Sequence, residues 1–311
     1  MLPKVYTCTL NLAIDLFIET DSLKPFVVNR TNDDEIQANG KGVNVSLVLD
    51  MLGIENTALG FRAGFTGRYI EEFLKEKQIK SNFIEVPGFT RINVFTQVND
   101  VKEEYKLVNK GPEISGDSIN NLSKQIKTLQ AGDYLCISGS LSQGIEPSIL
   151  VDIAKICYNQ KISLILDSSY PEVLECLKYK PYLVKPNEEE LGSWFDVTIK
   201  SKEDYLYYGK KLLDLGAQNV LLSVGKEGAY FFNKEKVLYG NSPKGEVVNT
   251  ACAGDTLLGT FLEGLIRTQP LPLILRKAIA AGSSTAFRKG LTDFSDVKNL
   301  QKQVYITEQN L

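Results

Sequence analysis

This chain of 311 residues contains no histidine. That absence excludes every Ser-His-Asp and Cys-His mechanism and removes the commonest zinc ligand. Any general base must be a carboxylate, Lys, Tyr or Cys. The five cysteines, Cys8, Cys136, Cys157, Cys176 and Cys252, include no C-x-x-C pair. They read as reduced thiols of a cytoplasmic protein, mostly in core strands and helices. No apolar run approaches the roughly 20 residues that cross a bilayer. The opening MLPKVYTCTLNLAIDL lacks a basic leader followed by an uninterrupted apolar core, so neither export nor a membrane partner is expected. A net charge of −3 leaves no basic footprint for nucleic acid. Anionic ligands must therefore be gathered by individual Lys and Arg. Two phosphate motifs are missing as well: no G-x-x-x-x-G-K-[ST] P-loop occurs, and no G-x-G-x-x-G follows a strand.

The composition is that of a folded protein. With 43% apolar residues, a chain of this length can bury about three quarters of its unfolded surface as one large domain, 1–311. Between about 130 and 290, short apolar runs alternate with helical patterns. DYLCIS (133–138), ISLILD (162–167), YLVKP (182–186) and NVLLSV (219–224) are predicted strands, with helices over 147–159, 188–195 and 202–215. This is the signature of an α/β fold with a mostly parallel sheet. DLFIET (15–20), RINVFTQV (91–98) and EYKLV (104–108) mix apolar and polar residues, as half-exposed strands do. They predict a small β lid near 12–40 and 90–110.

NTACAGDTLLGTF (249–261) is the most informative segment. A small-residue turn opens into a helix that is marked by Leu257, Leu258, Phe261, Leu262, Leu265 and Ile266 at helical spacing and is expected to begin near Asp255. Unpaired N–H groups at a helix start favour a phosphate, and Ala251, Ala253 and Gly254 let one approach closely. A carboxylate beside that anion, Asp255, suits a base that takes a proton from an attacking hydroxyl. The plain alternative is an Asp-capped helix after a Gly turn. Asn187 and Glu190 likewise share a face at the start of a predicted helix. An amide and a carboxylate there suit a water-rich Mg²⁺ site, or else an N-cap and its capping-box partner. Asp15 follows a predicted strand, where it could accept hydrogen bonds from sugar hydroxyls. Gly40, Lys41, Gly42 and Asn44 form a second Gly turn into a helix.

Seven blocks in order carry a resemblance: TLNLAID (9–15), QANGKGVNVSLVLDMLG (37–53), TRIN (90–93), SGSLSQG (138–144), KPNEEEL (185–191), SVGKEGA (223–229) and NTACAGDT (249–256). In these blocks the chain resembles the ribokinase-like (PfkB) carbohydrate kinases. The resemblance implies a ribokinase-like three-layer fold whose small β lid covers the sugar and supplies a homodimer contact. It implies ATP and Mg²⁺ as cofactors and Asp255 as catalytic base, with Cys252, Ala253 and Gly254 as the anion hole. Asn187 and Glu190 would then serve the metal. Lys185, Asn187, Ser223, Gly225, Gly228 and Gly254 would serve the nucleotide, and Asp15, Gly40, Lys41, Asn44, Arg91, Arg30 and Ser140 the substrate. Two cations inside matched blocks, Lys41 and Arg91, point to an acceptor that already carries a phosphate, which Arg can clamp bidentately.

With GFTG (64–67), NKGPEIS (109–115) and PKGEVVN (243–249), the resemblance is greatest to the 1-phosphofructokinase branch, which converts fructose 1-phosphate to fructose 1,6-bisphosphate. Tagatose-6-phosphate kinase is one alternative; a weakly active or non-catalytic sugar-phosphate sensor is another. Cys252 and Asn39 stand where the pattern has glycine. If position 252 needs a positive φ, Cys252 is strained and crowds the anion turn; with an ordinary φ it is a tolerated neighbour.

Overall fold

Consecutive residues of the central apolar runs enter different cores. Leu135 and Ile137 belong to one cluster and Cys136 to another; Leu164 and Leu166 are separated in the same way from Ile165, and Val220 and Leu222 from Leu221. Side chains alternate across a strand, so a sheet covered on both faces needs apolar residues at every position. That is why these segments are continuous apolar runs.

The computed structural model describes residues 3–309. In chain order the first half contains β1 (Val5–Thr9), β2 (Ala13–Thr20), β3 (Asp33–Asn39), α1 (Lys41–Met51), β4 (Asn56–Ala63), α2 (Gly64–Glu76), β5 (Lys80–Val86), β6 (Arg91–Val98), β7 (Glu103–Leu107) and α3 (Gly116–Ile126). The second half contains β8 (Tyr134–Ser138), α4 (Ile149–Gln160), β9 (Ser163–Asp167), α5 (Val173–Cys176), β10 (Leu183–Val184), α6 (Glu188–Phe195), α7 (Lys202–Leu215), β11 (Asn219–Ser223), β12 (Ala229–Asn233) and β13 (Val237–Gly240). It ends with α8 (Ala253–Ile266), α9 (Leu271–Ala286), α10 (Val297–Leu300) and β14 (Ile306–Gln309).

The architecture is the expected three-layer α/β fold. One sheet has the order β14-β13-β12-β11-β10-β9-β8-β1-β4-β5. It is parallel from β5 through β11 and antiparallel beyond. Helices α3, α4, α6 and α7 cover one face, and α1, α8, α9 and α10 the other. Helix α8 abuts α1 because Gly259 lacks a side chain: a Cβ there would lie 2.7 Å from Val48 Cγ1. The predicted helices at 188–195 and 202–215 match α6 and α7, while α4 begins two residues later than expected. Strand β10 is shorter than the predicted 182–186, since Pro186 has no N–H to donate to a ladder.

A second sheet, β3-β2-β6-β7, lies at the cleft end of the first. Strands β2 and β6 pair in parallel and the outer pairs are antiparallel. Its register sets Ala13 beside both Asn39 and Arg91, and Asp15 beside Asn93. Asp15 is therefore the third residue of β2 rather than a residue after a strand. Phe17 and Phe95 stack with centroids 5.0 Å apart, while β7 is exposed throughout. Among the described residues, no helix is long and apolar enough to cross a membrane.

Candidate active site

The carboxyl ends of β1, β8 and β9 converge with the start of α1 and the lid. There a cleft of about 200 Å³ is lined by Thr9, Asn11, Lys41, Arg91, Gly139, Ser140 and Ser169. This is the end at which open α/β sheets bind ligands.

Asp255 stands in the first turn of α8 and is only 5% exposed. The helix has no side-chain cap, so the amides of Gly254 and Asp255 take no side-chain acceptor. Asn44 Nδ2 donates to Asp255 Oδ2 at 2.8 Å. Burial first, and then the negative charge of Asp167, push the Asp255 carboxyl up to about 6; Lys41, the Asn44 hydrogen bond and Lys185 pull the other way. A carboxylate with that value is half ionised near pH 6 and mostly ionised at neutrality, the range a general base needs. Cys252, the residue before the helix, has φ 62 and is left-handed. The position thus has the positive φ at which a non-Gly residue is strained, by roughly 1–2 kcal/mol. Its Sγ lies 3.2 Å from Asn44 Nδ2, and burial raises the thiol's pKa, which keeps it neutral. Ala253 N–H reaches back to Thr250 O at 3.4 Å.

A charge cluster that the sequence analysis did not assemble lies beside this turn. Asp167 closes β9 and is fully buried. Its Oδ1 receives Lys185 Nζ at 3.0 Å and Lys41 Nζ at 3.4 Å. Burial alone would raise its pKa, but the two ammonium groups hold it below the usual carboxylate range. Lys41 also lies 3.6 Å from Glu190 Oε1, and its pKa is raised by Asp167 first, against the effect of burial. Lys41 therefore faces the cleft while tied to carboxylates on the side of α6.

On the lid side, Asp15 is buried and accepts from Asn93 Nδ2 at 2.8 Å and from Asn39 Nδ2. Burial raises its carboxyl pKa, partly offset by these amides and by Arg91. Arg91 donates to Asn109 O at 3.1 Å and to Asn11 O and Ser140 Oγ at 3.3 Å each; burial lowers its pKa. Gly40, at φ 134, turns the chain from β3 into α1. Arg30 is placed elsewhere. It lies exposed in the loop between β2 and β3, where its carbonyl accepts from Thr20 Oγ1, and no contact joins its side chain to the cleft.

Asn187 and Glu190 form the capping box: Glu190 N donates to Asn187 Oδ1 at 2.7 Å, and Asn187 N to Glu190 Oε2 at 3.0 Å. The structural alternative weighed for this pair is thus realised. Asn187 Oδ1 is committed to the helix, while Glu190 Oε1 faces Lys41 and Asp167 Oδ2 is buried without a partner. Two carboxylate oxygens with spare lone pairs suit a Mg²⁺ ion that keeps most of its water; among the described residues, no three His, Cys, Asp or Glu are spaced to hold a metal by themselves. Ser223 pairs with Asn187 across an isolated bridge. Gly225 and Gly228 bound the β11–β12 turn, and at Gly228 a Cβ would collide with Gly240 O.

Asp167, Asn93, Asn11 and Asn109 thus join the site without having been singled out. Asn93 and Asn11 lie inside blocks already quoted. Asp167 had one usable signal, its position at the carboxyl end of a parallel strand.

The profile of the pfkB family carbohydrate kinases matches residues 6–298. A D-tagatose-1-phosphate kinase from Bacillus licheniformis is 48% identical over 97% of this chain and 99% of its own length. A 1-phosphofructokinase from Bacillus subtilis is 37% identical, covering 97% and 99%. The crystal structure of phosphofructokinase-2 from Escherichia coli in complex with substrates and products superposes with a TM-score of 0.89 at 26% identity, over 96% of this chain and 98% of that one. The chain belongs to the pfkB family of carbohydrate kinases and is a sugar-phosphate kinase.

Proposed function

We propose that this pfkB-family kinase transfers the γ-phosphoryl group of ATP to the free primary hydroxyl of a ketohexose 1-phosphate, giving a 1,6-bisphosphate. The observation that carries the reading is the division of the site between a buried carboxylate raised to about 6 at an uncapped helix start and a separate guanidinium under the lid. Asp255 takes the proton of the attacking hydroxyl. The amides of residues 253–255 and the Lys41 ammonium receive the charge that spreads over the transferring oxygens. Arg91, beside Ser140, holds the acceptor's own phosphate, and Asp15 accepts from a ring or chain hydroxyl. Lys185, Ser223, Gly225 and Gly228 lie on the nucleotide side. Glu190 and Asp167 would hold a Mg²⁺ ion, mainly through water, and the ion would supply charge neutralisation at the nucleotide phosphates.

Fructose 1-phosphate is the acceptor expected from sequence, and tagatose 1-phosphate, its C4 epimer, enters with the Bacillus licheniformis relative. The higher identity to that relative supports tagatose 1-phosphate. The 1–311 chain acts as one kinase unit in the cytoplasm, with the four-stranded sheet as its lid. Exposed Ile36, Tyr105 and Leu107 on that sheet suit a homodimer contact.

The test is ADP release with the 1-phosphates and 6-phosphates of fructose and tagatose. Turnover is expected with a 1-phosphate well above either 6-phosphate; the reverse preference, or no turnover, rejects the reading. Arg91→Ala should raise KM for the sugar phosphate far more than for ATP, by about 2–4 kcal/mol in kcat/KM for a desolvated pair. Equal effects on both substrates would remove Arg91 from the acceptor site.

A further inference from the structure

An unbroken line of hydrogen bonds runs from the lid to the base. Asn109 N donates to Asn93 Oδ1 at 3.1 Å, and Asn93 Nδ2 to Asp15 Oδ1 at 2.8 Å. Asn39 Nδ2 donates to the other oxygen of Asp15. Asn44 Nδ2 then donates to Asn39 Oδ1 and to Asp255 Oδ2, each at 2.8 Å. The orientation of every amide is dictated by its neighbours. The Gly40 N–H can only donate, and it meets Asn39 Oδ1 at 2.6 Å, so the Asn39 NH₂ must face Asp15. Ionised carboxylates only accept, so Asn44 must present its NH₂ to Asp255. An NH₂ group has two protons, and Asn44 uses one on Asn39 and one on Asp255. The Cys252 sulfur, 3.2 Å from the same nitrogen, closes the third side.

Asn39 and Cys252 are two positions where the resemblance leads to glycine, 213 residues apart in numbering, and their side chains meet on one nitrogen. We infer that Asn39 is a positioning residue for the base, with Cys252 as its stop: together they hold the Asn44 amide on Asp255 and tie it to the carboxylate that receives the sugar. Without a side chain at 39, Asn44 keeps a single anchored proton and is free to turn away. Asp15 Oδ2 loses a donor in the same step, so sugar binding and base positioning loosen together. The inference rests on the kinase reading.

The experiment compares Asn39→Gly, Cys252→Gly and the double variant in the full chain, with the ketohexose 1-phosphate that the wild type turns over. Asn39→Gly is expected to lower kcat about tenfold, as loss of an outer positioning contact does, with KM for ATP unchanged. The acid limb of kcat/KM should move to higher pH, because the Asn44 hydrogen bond lowers the pKa of Asp255. The other charged groups facing Asp255, which are Asp167 after β9, Lys41 on α1 and Lys185 after β10, are the same in every variant. The double variant should lose less than the product of the two single losses, since both act on one amide. Asn39→Ala, which keeps the backbone restrained, should shift the limb the same way. An unmoved limb and unchanged kcat in both Asn39 variants, or single effects that multiply, overturns the inference. A wild type that phosphorylates no ketohexose phosphate overturns the functional reading itself.

Discussion

Helices α6 and α8 begin at the same cleft and treat their first N–H groups in opposite ways. At α6, Asn187 and Glu190 cap each other, and three carboxylates occupy the first turn. At α8, the chain enters through a left-handed Cys252 with no side-chain cap, and the one acidic residue, Asp255, turns aside to Asn44. A closed cap has satisfied its donors internally and contributes rigidity. An uncapped start with a buried carboxylate has donors to offer an anion and a group able to take a proton. Both starts looked functional in the sequence; at α6 the box takes up the amide of Glu190, whereas at α8 no side chain takes up those of Gly254 and Asp255.

Breaking this contrast at α8 should damage chemistry and spare the fold. Asp255→Asn is expected to lower kcat by about 100-fold or more, the usual worth of a positioned base, with substrate KM little changed. Wild-type-like turnover in the purified variant would end its role as base.

The acid limb sharpens the same point. The proposed base Asp255 would act as an anion, and burial raises its pKa to about 6, so it should be lost as pH falls through that value rather than near the ordinary value for Asp. Below it, kcat/KM should fall about tenfold per pH unit. A profile that stays flat well below pH 6 would show a base in a more solvated setting.

At α6 the expected damage is to stability. Asn187→Ala removes the cap acceptor and should cost about 1 kcal/mol in urea unfolding; no loss would show that the box contributes nothing. Cys252→Gly should have the smallest effect on stability. Relief of the left-handed strain, about 1–2 kcal/mol, opposes the chain entropy of glycine, about 0.5–1 kcal/mol, and the lost thiol contacts. A net change within about 1 kcal/mol is expected, and a larger loss would mark Cys252 as a packing residue.

Local patterns carried much of the reading. Helices at 188–195 and 202–215 and the lid strand at 91–98 were legible because periodicity and caps are short-range signals. Asp255, Lys41 and Arg91 were singled out because each sits in a compact motif. Asp167 was passed over because an Asp closing an apolar run looks like any strand end. Asn39 looked like a lost glycine, whereas it is the bridge between Asp15 and Asn44. Arg30 went the other way: it lies in a lid segment near the cleft in sequence but in an exposed loop in space.

The sequence by itself determined the chemical means and the layering. With no histidine, the base had to be found among the remaining titratable side chains, and apolar runs between helical patterns dictated a sheet buried on both faces. Tertiary structure alone decided which groups share a field. Asn44 and Asp255 are 211 residues apart in the chain, and Lys41 and Asp167 are 126 apart. The ionisation of Asp255 depends on burial and on the charges of Asp167, Lys41 and Lys185 around it. Those are properties of distance and desolvation, which arise only when α1, α8 and the strand ends have packed together.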